Sequence, residues 1–139
     1  MNELIHLTNE PLSTEVVTAL VSKPAYGGID VFIGTVRDQT KGKKVQRLEY
    51  EAYEPMALSE MGKIAQQVKQ KWPQSSIVIH HRIGNLAIGE AAVIIAVATP
   101  HRDQAFAACK YAIDTLKEQV PIWKKEIFED GEVWVAAHP

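Results

Sequence analysis

Three segments carry apolar residues at the three- and four-residue spacing that gives a helix one buried face. This spacing predicts helices over residues 13–22, 55–72 and 103–119. Ser13 is placed to cap the first helix, and Lys23-Pro24 ends it. Pro55 suits the first turn of the second helix, and Pro121 follows the end of the third.

Short runs rich in β-branched and aromatic residues separate these helices and predict strands. They cover residues 29–37, 45–53, 77–83, 91–99, 122–128 and 133–136. The run 91–99 is almost wholly apolar, so we expect it at the centre of a sheet. Asp130-Gly131 predicts a hairpin turn, and Gly84 and Gly89 bracket a short hairpin-like link. The polar segment 38–44 is expected to be an exposed, mobile loop.

Strands and helices interleave, and several strand links are so short that they force antiparallel pairing. The pattern therefore predicts an α+β fold with a mostly antiparallel sheet packed against helices. We find no linker rich in Pro, Gly or Ser and no internal repeat, so residues 1–139 are interpreted as a single domain.

Composition narrows the class of protein. With 46% hydrophobic residues and a formal net charge of −2, the chain is expected to be an ordinary folded domain rather than a disordered one. The small charge argues against broad nucleic-acid binding. The longest apolar run, residues 91–98, is far below the ~18 residues that cross a membrane. The first six residues carry no export signal, which predicts a cytoplasmic protein.

Charged side chains gather at the ends of the predicted apolar elements, where binding groups are commonly displayed. They are Arg37, His101, Arg102, Lys117, Lys124, Lys125 and Glu126. If folding brings these ends together, they form a cationic pocket for an anion such as phosphate. Taken singly, each side chain is more often just solvated, and Lys117 near a helix C-terminus can serve only the helix dipole.

The sequence does not indicate a reactive cysteine or a metal site at its paired histidines. The one cysteine, Cys109, falls on the apolar stripe of its helix, which predicts a buried structural thiol. His80 and His81 are neighbours in a strand and point to opposite faces, so they cannot hold one metal ion together. No metal site is predicted.

Several short strings occur together in one order and spacing along the chain. They are FIGTVR (32–37), LEYEAY (48–53) followed by Met56-Ala57, HRIG (81–84) with Gly89-Glu90, HR (101–102) with Ala105-Phe106, and PIWKKE (121–126), together with Lys117, Gly131 and Trp134. In this arrangement the chain resembles the large, catalytic subunits of molybdopterin synthase. The resemblance extends from about Gly28 to Trp134.

The resemblance implies an α/β hammerhead type of α+β fold and a sulfurtransferase of molybdenum cofactor biosynthesis. The implied substrate is cyclic pyranopterin monophosphate (precursor Z), which becomes molybdopterin. The implied sulfur source is the thiocarboxylated C-terminus of a small ubiquitin-like subunit. It also implies a homodimer of large subunits within a heterotetramer, with no bound cofactor, nucleic acid or membrane. Delivery of sulfur by a partner would explain why no reactive cysteine is visible.

The resemblance also implies roles for particular residues. Arg37, His101 and Arg102 would hold the phosphate and neighbouring groups, and Lys117 and Lys124 would lie closest to the reacting carbons. We expect one of these two lysines to exchange protons as sulfur adds and water leaves, without assigning which. The implied substrate-binding set is Thr35, Val36, Arg37, His101, Arg102, Lys117, Lys124, Lys125 and Glu126. Phe32 and Met56 are assigned to a partner interface, a pocket wall or the core.

Two positions depart from the expected pattern, and two other functions stay open. Pro100 stands where relatives more often carry a small polar residue, and the chain stops at Pro139 with His138 as the only stand-in for a longer polar tail. A non-catalytic module that binds a phosphorylated metabolite or nucleotide is the main alternative. A single-stranded RNA binder ranks last, because the aromatic residues lie mostly in acidic or apolar contexts.

Overall fold

The computed structural model describes residues 4–136. Its helices are α1 (Thr14–Val21), α2 (Glu54–Lys71) and α3 (Arg102–Gln119). Its strands are β1 (Ile5–Thr8), β2 (Gly28–Thr35), β3 (Gln39–Thr40), β4 (Lys43–Ala52), β5 (Ser76–Arg82), β6 (Gly84–Ala87), β7 (Ala91–Thr99), β8 (Ile122–Phe128) and β9 (Gly131–Ala136). No helix in this part of the chain is both long and apolar enough to cross a membrane.

The first sheet has the strand order β1-β5-β7-β2. β1 is parallel to β5, and the other two pairs are antiparallel. Helices cover both faces: α1 packs on one face through Val17 and Val21, and α2 and α3 pack on the other through residues such as Met61 and Leu116. Because β7 is buried on both sides, its sequence is almost continuously apolar. β5 is buried as well, but its buried residues include Ser76, His80 and His81.

The second sheet is built around β4, which pairs with both β6 and β8. β9 pairs with β8, and β3 forms a tight hairpin with the start of β4. A small core fills its inner side, made of Val36, Val45, Leu48, Leu86, Ala92 and Phe128. The end of β2 and the C-terminal end of α3 approach this sheet, so the junction between the two sheets gathers residues from distant parts of the sequence.

The predicted α+β class and the three helices are confirmed. Ser13 caps α1 as predicted, because its Oγ accepts a hydrogen bond of 3.2 Å from the amide of Val16. The predicted hairpin across Asp130-Gly131 joins β8 to β9. β1 was not predicted, because four residues are too few to show a periodicity.

Two predicted connections are wrong. The segment 38–44 is not simply a loop: Gln39 and Thr40 pair with Lys44 and Lys43 across a turn. The link between β5 and β7 contains β6, whose four residues pair with β4 of the other sheet. Both errors have one cause, since strands of two or four residues are held by pairing with distant partners rather than by local sequence.

Candidate functional site

A cavity of about 530 Å³ opens at the junction of the two sheets. Three cationic side chains line it, and we call it the cationic cavity: Arg37 from just after β2, Lys117 from the last turn of α3, and Lys124 from β8. Thr35 and the partly buried ring of Phe32 complete the β2 side. Three elements that are distant in sequence therefore place positive charge around one space.

Local chain geometry explains why Lys124 faces this cavity. In the antiparallel pair β4–β8, Lys124 lies directly opposite Tyr50, so their side chains share one face of the sheet. The amide of Tyr53 donates a 3.3 Å hydrogen bond to the carbonyl of Pro121, which ties the start of β8 to the end of β4. β8 begins only three residues after the end of α3, so Lys117 and Lys124 approach one another across Pro121.

The cationic cavity is electropositive because no carboxylate within residues 4–136 lines it or forms an ion pair with Arg37, Lys117 or Lys124. Burial lowers the pKa of Lys124, and the charges of Arg37 and Lys117 lower it further, against the opposing effect of Glu126. A lysine with a lowered pKa releases its proton more readily than a surface lysine.

Two neutral groups, Tyr50 and His81, complete the wall of the cavity. The imidazole of His81 packs edge-on against the Tyr50 ring, with 5.5 Å between centroids. Burial lowers the pKa of His81 to about 4, against the hydrogen bond to the Arg82 carbonyl. Burial and the charge of Glu126 raise the pKa of Tyr50 to about 12. Near neutral pH both side chains are therefore uncharged.

The structure brings together four of the predicted substrate-binding residues: Thr35, Arg37, Lys117 and Lys124 all line the cationic cavity. Phe32, predicted for a pocket wall among other places, also lines it. Met56 does not line it, and its side chain is half exposed on α2. Sequence reasoning did not select Tyr50 or His81 as site residues. The HRIG and LEYEAY strings contain both, which was the available signal.

Val36 does not face the cavity. Its side chain is buried in the small core under the second sheet. Its amide donates to the Glu90 carbonyl at 3.0 Å, and its own carbonyl accepts from the Gly89 amide at 2.9 Å. Its side chain is therefore in the core and both of its backbone polar groups are hydrogen-bonded, so these contacts do not support the predicted contact of Val36 with substrate. The alternation of side chains after β2 points Val36 away from its neighbours Thr35 and Arg37.

Lys125 and Glu126 also lie outside the lining of the cavity. Lys125 points to the other face of β8, where its ammonium pairs with Glu49 at 3.7 Å and Glu132 at 3.5 Å and lies 4.9 Å from the Trp134 ring centroid. Glu126 is only 6% exposed, and its carboxylate accepts a 2.6 Å hydrogen bond from the Thr40 hydroxyl. Glu126 acts on the cavity only through its charge.

His101 and Arg102 lie at the opposite end of α3 from Lys117. They pack against the first residue of β2, because a Cβ placed on Gly28 would stand 2.8 Å from the backbone of Arg102. The seven residue steps from Gly28 to Thr35 span about 23 Å of extended chain. Within one chain, these two residues therefore lie apart from Arg37, and their place in the site stays a prediction about the assembled protein.

The predicted burial of Cys109 and the predicted opposite orientation of His80 and His81 are confirmed. Cys109 is buried, its thiol donates to the Ile95 carbonyl at 3.6 Å, and burial raises its pKa to about 12. His80 lines a separate groove beside α1, so it faces away from His81. Within residues 4–136, no cluster of three side chains could hold a metal ion. His138 lies outside the described residues.

Comparison with known proteins gives one consistent result. The family model described as MoaE protein matches residues 7–119. A molybdopterin synthase catalytic subunit from Bacillus subtilis is 53% identical over 133 residues, covering 96% of this chain and 85% of that protein.

Solved structures agree. The crystal structure of molybdopterin synthase from Staphylococcus aureus has a TM-score of 0.92 and 46% identity, covering 97% of this chain and 98% of that one. A complex of subunits 1 and 2 of the molybdopterin-converting factor from Helicobacter pylori contains the same fold, with a TM-score of 0.77 and 20% identity, covering 97% of this chain and 94% of that one. The chain therefore belongs to the MoaE family, whose members include the catalytic subunits of molybdopterin synthase.

Proposed function

We propose that this chain is the catalytic subunit of a cytoplasmic molybdopterin synthase. It converts cyclic pyranopterin monophosphate to molybdopterin with sulfur from the thiocarboxylated C-terminus of a small ubiquitin-like subunit. The observation that carries the proposal is the cationic cavity, where Arg37, Lys117 and Lys124 stand without a carboxylate partner in the described chain. A phosphate and a thiocarboxylate are both anions, and unpaired cations bind them by charge-assisted hydrogen bonds.

Lys124 is the residue we assign to proton exchange. As the thiocarboxylate sulfur bonds to a substrate carbon, oxygen leaves as water, and hydrolysis of the resulting thioester breaks the sulfur–acyl bond and leaves the partner's terminus as a carboxylate. One group must give up and take back a proton in these steps. Lys124 is half-buried, and burial together with Arg37 and Lys117 lowers its pKa. Lys117, more exposed at the end of α3, then supplies a positive charge beside it.

A partner must bring the sulfur, because this chain has no thiol that could carry it. Cys109 is the only cysteine, and its buried thiol is bonded to a backbone carbonyl. The Helicobacter pylori relative is a complex of two different subunits. We therefore assign sulfur delivery to a small subunit that inserts its C-terminus into the cationic cavity.

His101 and Arg102 reach a site only if a second copy of the chain supplies them. β2 is an edge strand of the first sheet in the described chain, with Ile29 and Ile33 exposed along it. Antiparallel pairing of two β2 strands about a two-fold axis would set the start of one strand beside the end of the other. Each cavity would then receive His101 and Arg102 from the other copy, in a homodimer at the centre of a heterotetramer.

The test is turnover in the reconstituted complex. We expect Lys117→Ala and Lys124→Ala each to lower molybdopterin formation by at least about 100-fold, because each removes a charge that acts on the reacting groups. Lys110→Ala is the matched control: Lys110 lies on α3 like Lys117, but it is exposed and paired with Asp114. Full activity in both cavity variants would overturn the assignment.

The same mixture separates the main alternative from the enzyme. A non-catalytic module for a phosphorylated metabolite would bind cyclic pyranopterin monophosphate and release it unchanged, even with thiocarboxylated partner present. Accumulation of molybdopterin over several turnovers would exclude that module.

A further inference from the structure

One buried polar group on the cavity wall has no part in the proposed sulfur transfer. His81 lies in β5, is only 3% exposed, and lines the cationic cavity beside Lys117 and Lys124. The wall therefore contains a nitrogen heterocycle among cations. A buried side chain of this kind needs a partner for each ring nitrogen, because an unsatisfied polar atom away from water costs free energy.

The structure fixes both the orientation and the tautomer of this ring. Nδ1 of His81 lies 2.8 Å from the backbone carbonyl oxygen of Arg82. A carbonyl can only accept, so Nδ1 carries the hydrogen and donates it. Tyr50 packs against the ring at an interplanar angle of 72°, which holds the imidazole plane in place.

Nε2 is consequently a lone-pair acceptor. Within residues 4–136 no group donates a hydrogen bond to it. Burial keeps the imidazole neutral by lowering its pKa to about 4, so the lone pair stays available at neutral pH. The cavity thus combines three cations, suited to anions, with one neutral acceptor suited to a donor.

We propose that His81 determines specificity by accepting, at Nε2, a hydrogen bond from an N–H or O–H group of the pyranopterin ring system. This inference rests on the proposed function and extends it, because it names the group that recognises the neutral part of the substrate. The cations bind the phosphate and thiocarboxylate, which many metabolites share. The neutral acceptor strengthens binding only of a ligand that presents a hydrogen-bond donor at this point of the wall.

Two substitutions at this position separate recognition from structure. In His81→Asn the side-chain amide lies where Nδ1 was, so the bond to the Arg82 carbonyl is kept and the acceptor at Nε2 is lost. In His81→Gln the amide oxygen lies near the position of Nε2, so the acceptor is kept and the bond to Arg82 is lost. His80→Asn is the matched control, since His80 faces the groove beside α1.

The measurements are the Kd of cyclic pyranopterin monophosphate for the large subunit, kcat and KM in the complex with thiocarboxylated small subunit, and Tm. We expect His81→Asn to raise Kd and KM about tenfold or more, equal to about 1.4 kcal/mol, with kcat within about threefold. His81→Gln should keep Kd within about threefold despite a lower Tm. His80→Asn should leave Kd unchanged.

The proposal is overturned if His81→Asn leaves Kd unchanged. It is also overturned if only His81→Gln binds more weakly and its loss of affinity follows its fall in Tm. If His81→Asn does not fold, His81→Phe gives the same test, because it keeps the ring against Tyr50 and lacks both nitrogens. Failure of the proposed function has a different signature: the wild-type complex would form no molybdopterin, whatever the affinities of the variants.

Discussion

At the scale of the residue, neighbours in sequence have opposite surroundings. Lys124 faces the cationic cavity, and Lys125 faces away, toward Glu49, Glu132 and Trp134. Strand alternation alone produces this difference, because successive side chains point to opposite faces of β8. A dipeptide of two lysines thus places one ammonium group in the cavity and one on the outer surface, and residue type does not tell them apart.

The neutral state of His81 predicts a pH dependence of stability. Its pKa is about 4 in the folded chain against 6.5 for a free histidine. On acidification the unfolded state therefore binds a proton at a higher pH than the folded state does. The neutral imidazole makes its full contribution to the free energy of unfolding above pH 6.5, and this contribution is lost as the pH falls toward 4. Over this window the expected loss is about 3 kcal/mol.

Urea unfolding at pH 7, 5.5 and 4 measures this effect. We expect the difference in unfolding free energy between wild type and His81→Asn to shrink by that amount on acidification. The other titratable groups that face this cavity are identical in both proteins, so their effects cancel in the difference. They are Tyr50, Arg37, Lys117 and Lys124. His101→Gln, at an exposed histidine, is the control. A difference that stays constant with pH would contradict a buried neutral imidazole.

At the scale of the element, β2 and α3 determine where the charged groups lie. α3 packs against β2 and buries Cys109, Ala112 and Leu116 against the sheet. His101 and Arg102 begin the helix next to the start of β2, and Lys117 ends it next to Thr35 and Arg37. Two elements side by side thus carry cations at both of their ends, about 23 Å apart along the strand.

The backbones of β2 and α3 approach closely where the two elements begin, which disfavours any side chain at position 28. In Gly28→Ala the new Cβ would stand 2.8 Å from the Arg102 amide nitrogen and Cα, which are backbone atoms and cannot rotate away. We expect a loss of about 1–3 kcal/mol in unfolding free energy, measured by urea denaturation.

Gly62→Ala is the matched control for this substitution. Gly62 lies inside α2, and nothing stands within 4 Å of a Cβ placed there. Alanine should therefore stabilise the protein by about 0.5–1 kcal/mol through helix propensity. Equal stability of the two variants would show that the contact between α3 and β2 is looser than described.

At the scale of the whole molecule, one chain holds an incomplete set of the predicted cations around its cavity. If a second copy supplies His101 and Arg102, then each site is made of two chains. We expect the homodimers of Arg102→Ala and of Lys117→Ala to be nearly inactive when assayed separately.

Mixing these two variants after reversible dissociation tests the shared site. A hybrid dimer has one cavity that combines the intact Lys117 of one chain with the intact Arg102 of the other. At equal amounts hybrids form half of the dimers by random association, so about a quarter of wild-type molybdopterin formation should return. Mixed Lys117→Ala and Lys124→Ala dimers are the control and should stay inactive. No recovery in the first mixture would place all site residues in one chain.

The sequence predicted more of the fold than of the site. Helical spacing and β-branched runs located α1 to α3 and the six longer strands, because burial imposes a period on the residues that are buried. The same sequence signals missed β1, β3 and β6. These strands have two to four residues each and depend on pairing with other strands. Charge at element ends indicated the cationic pocket, and the resemblance selected its residues.

The sequence by itself determined which segments form elements, that the one cysteine is buried, and that cations stand at the element ends. Only the tertiary structure decided which of those cations meet. It placed Arg37, Lys117 and Lys124 around one cavity, set His101 and Arg102 apart, and added His81, whose Nε2 accepts no hydrogen bond within residues 4–136. The physical reason is that element identity follows from local spacing, whereas the meeting of side chains follows from strand register and helix packing across long separations in sequence.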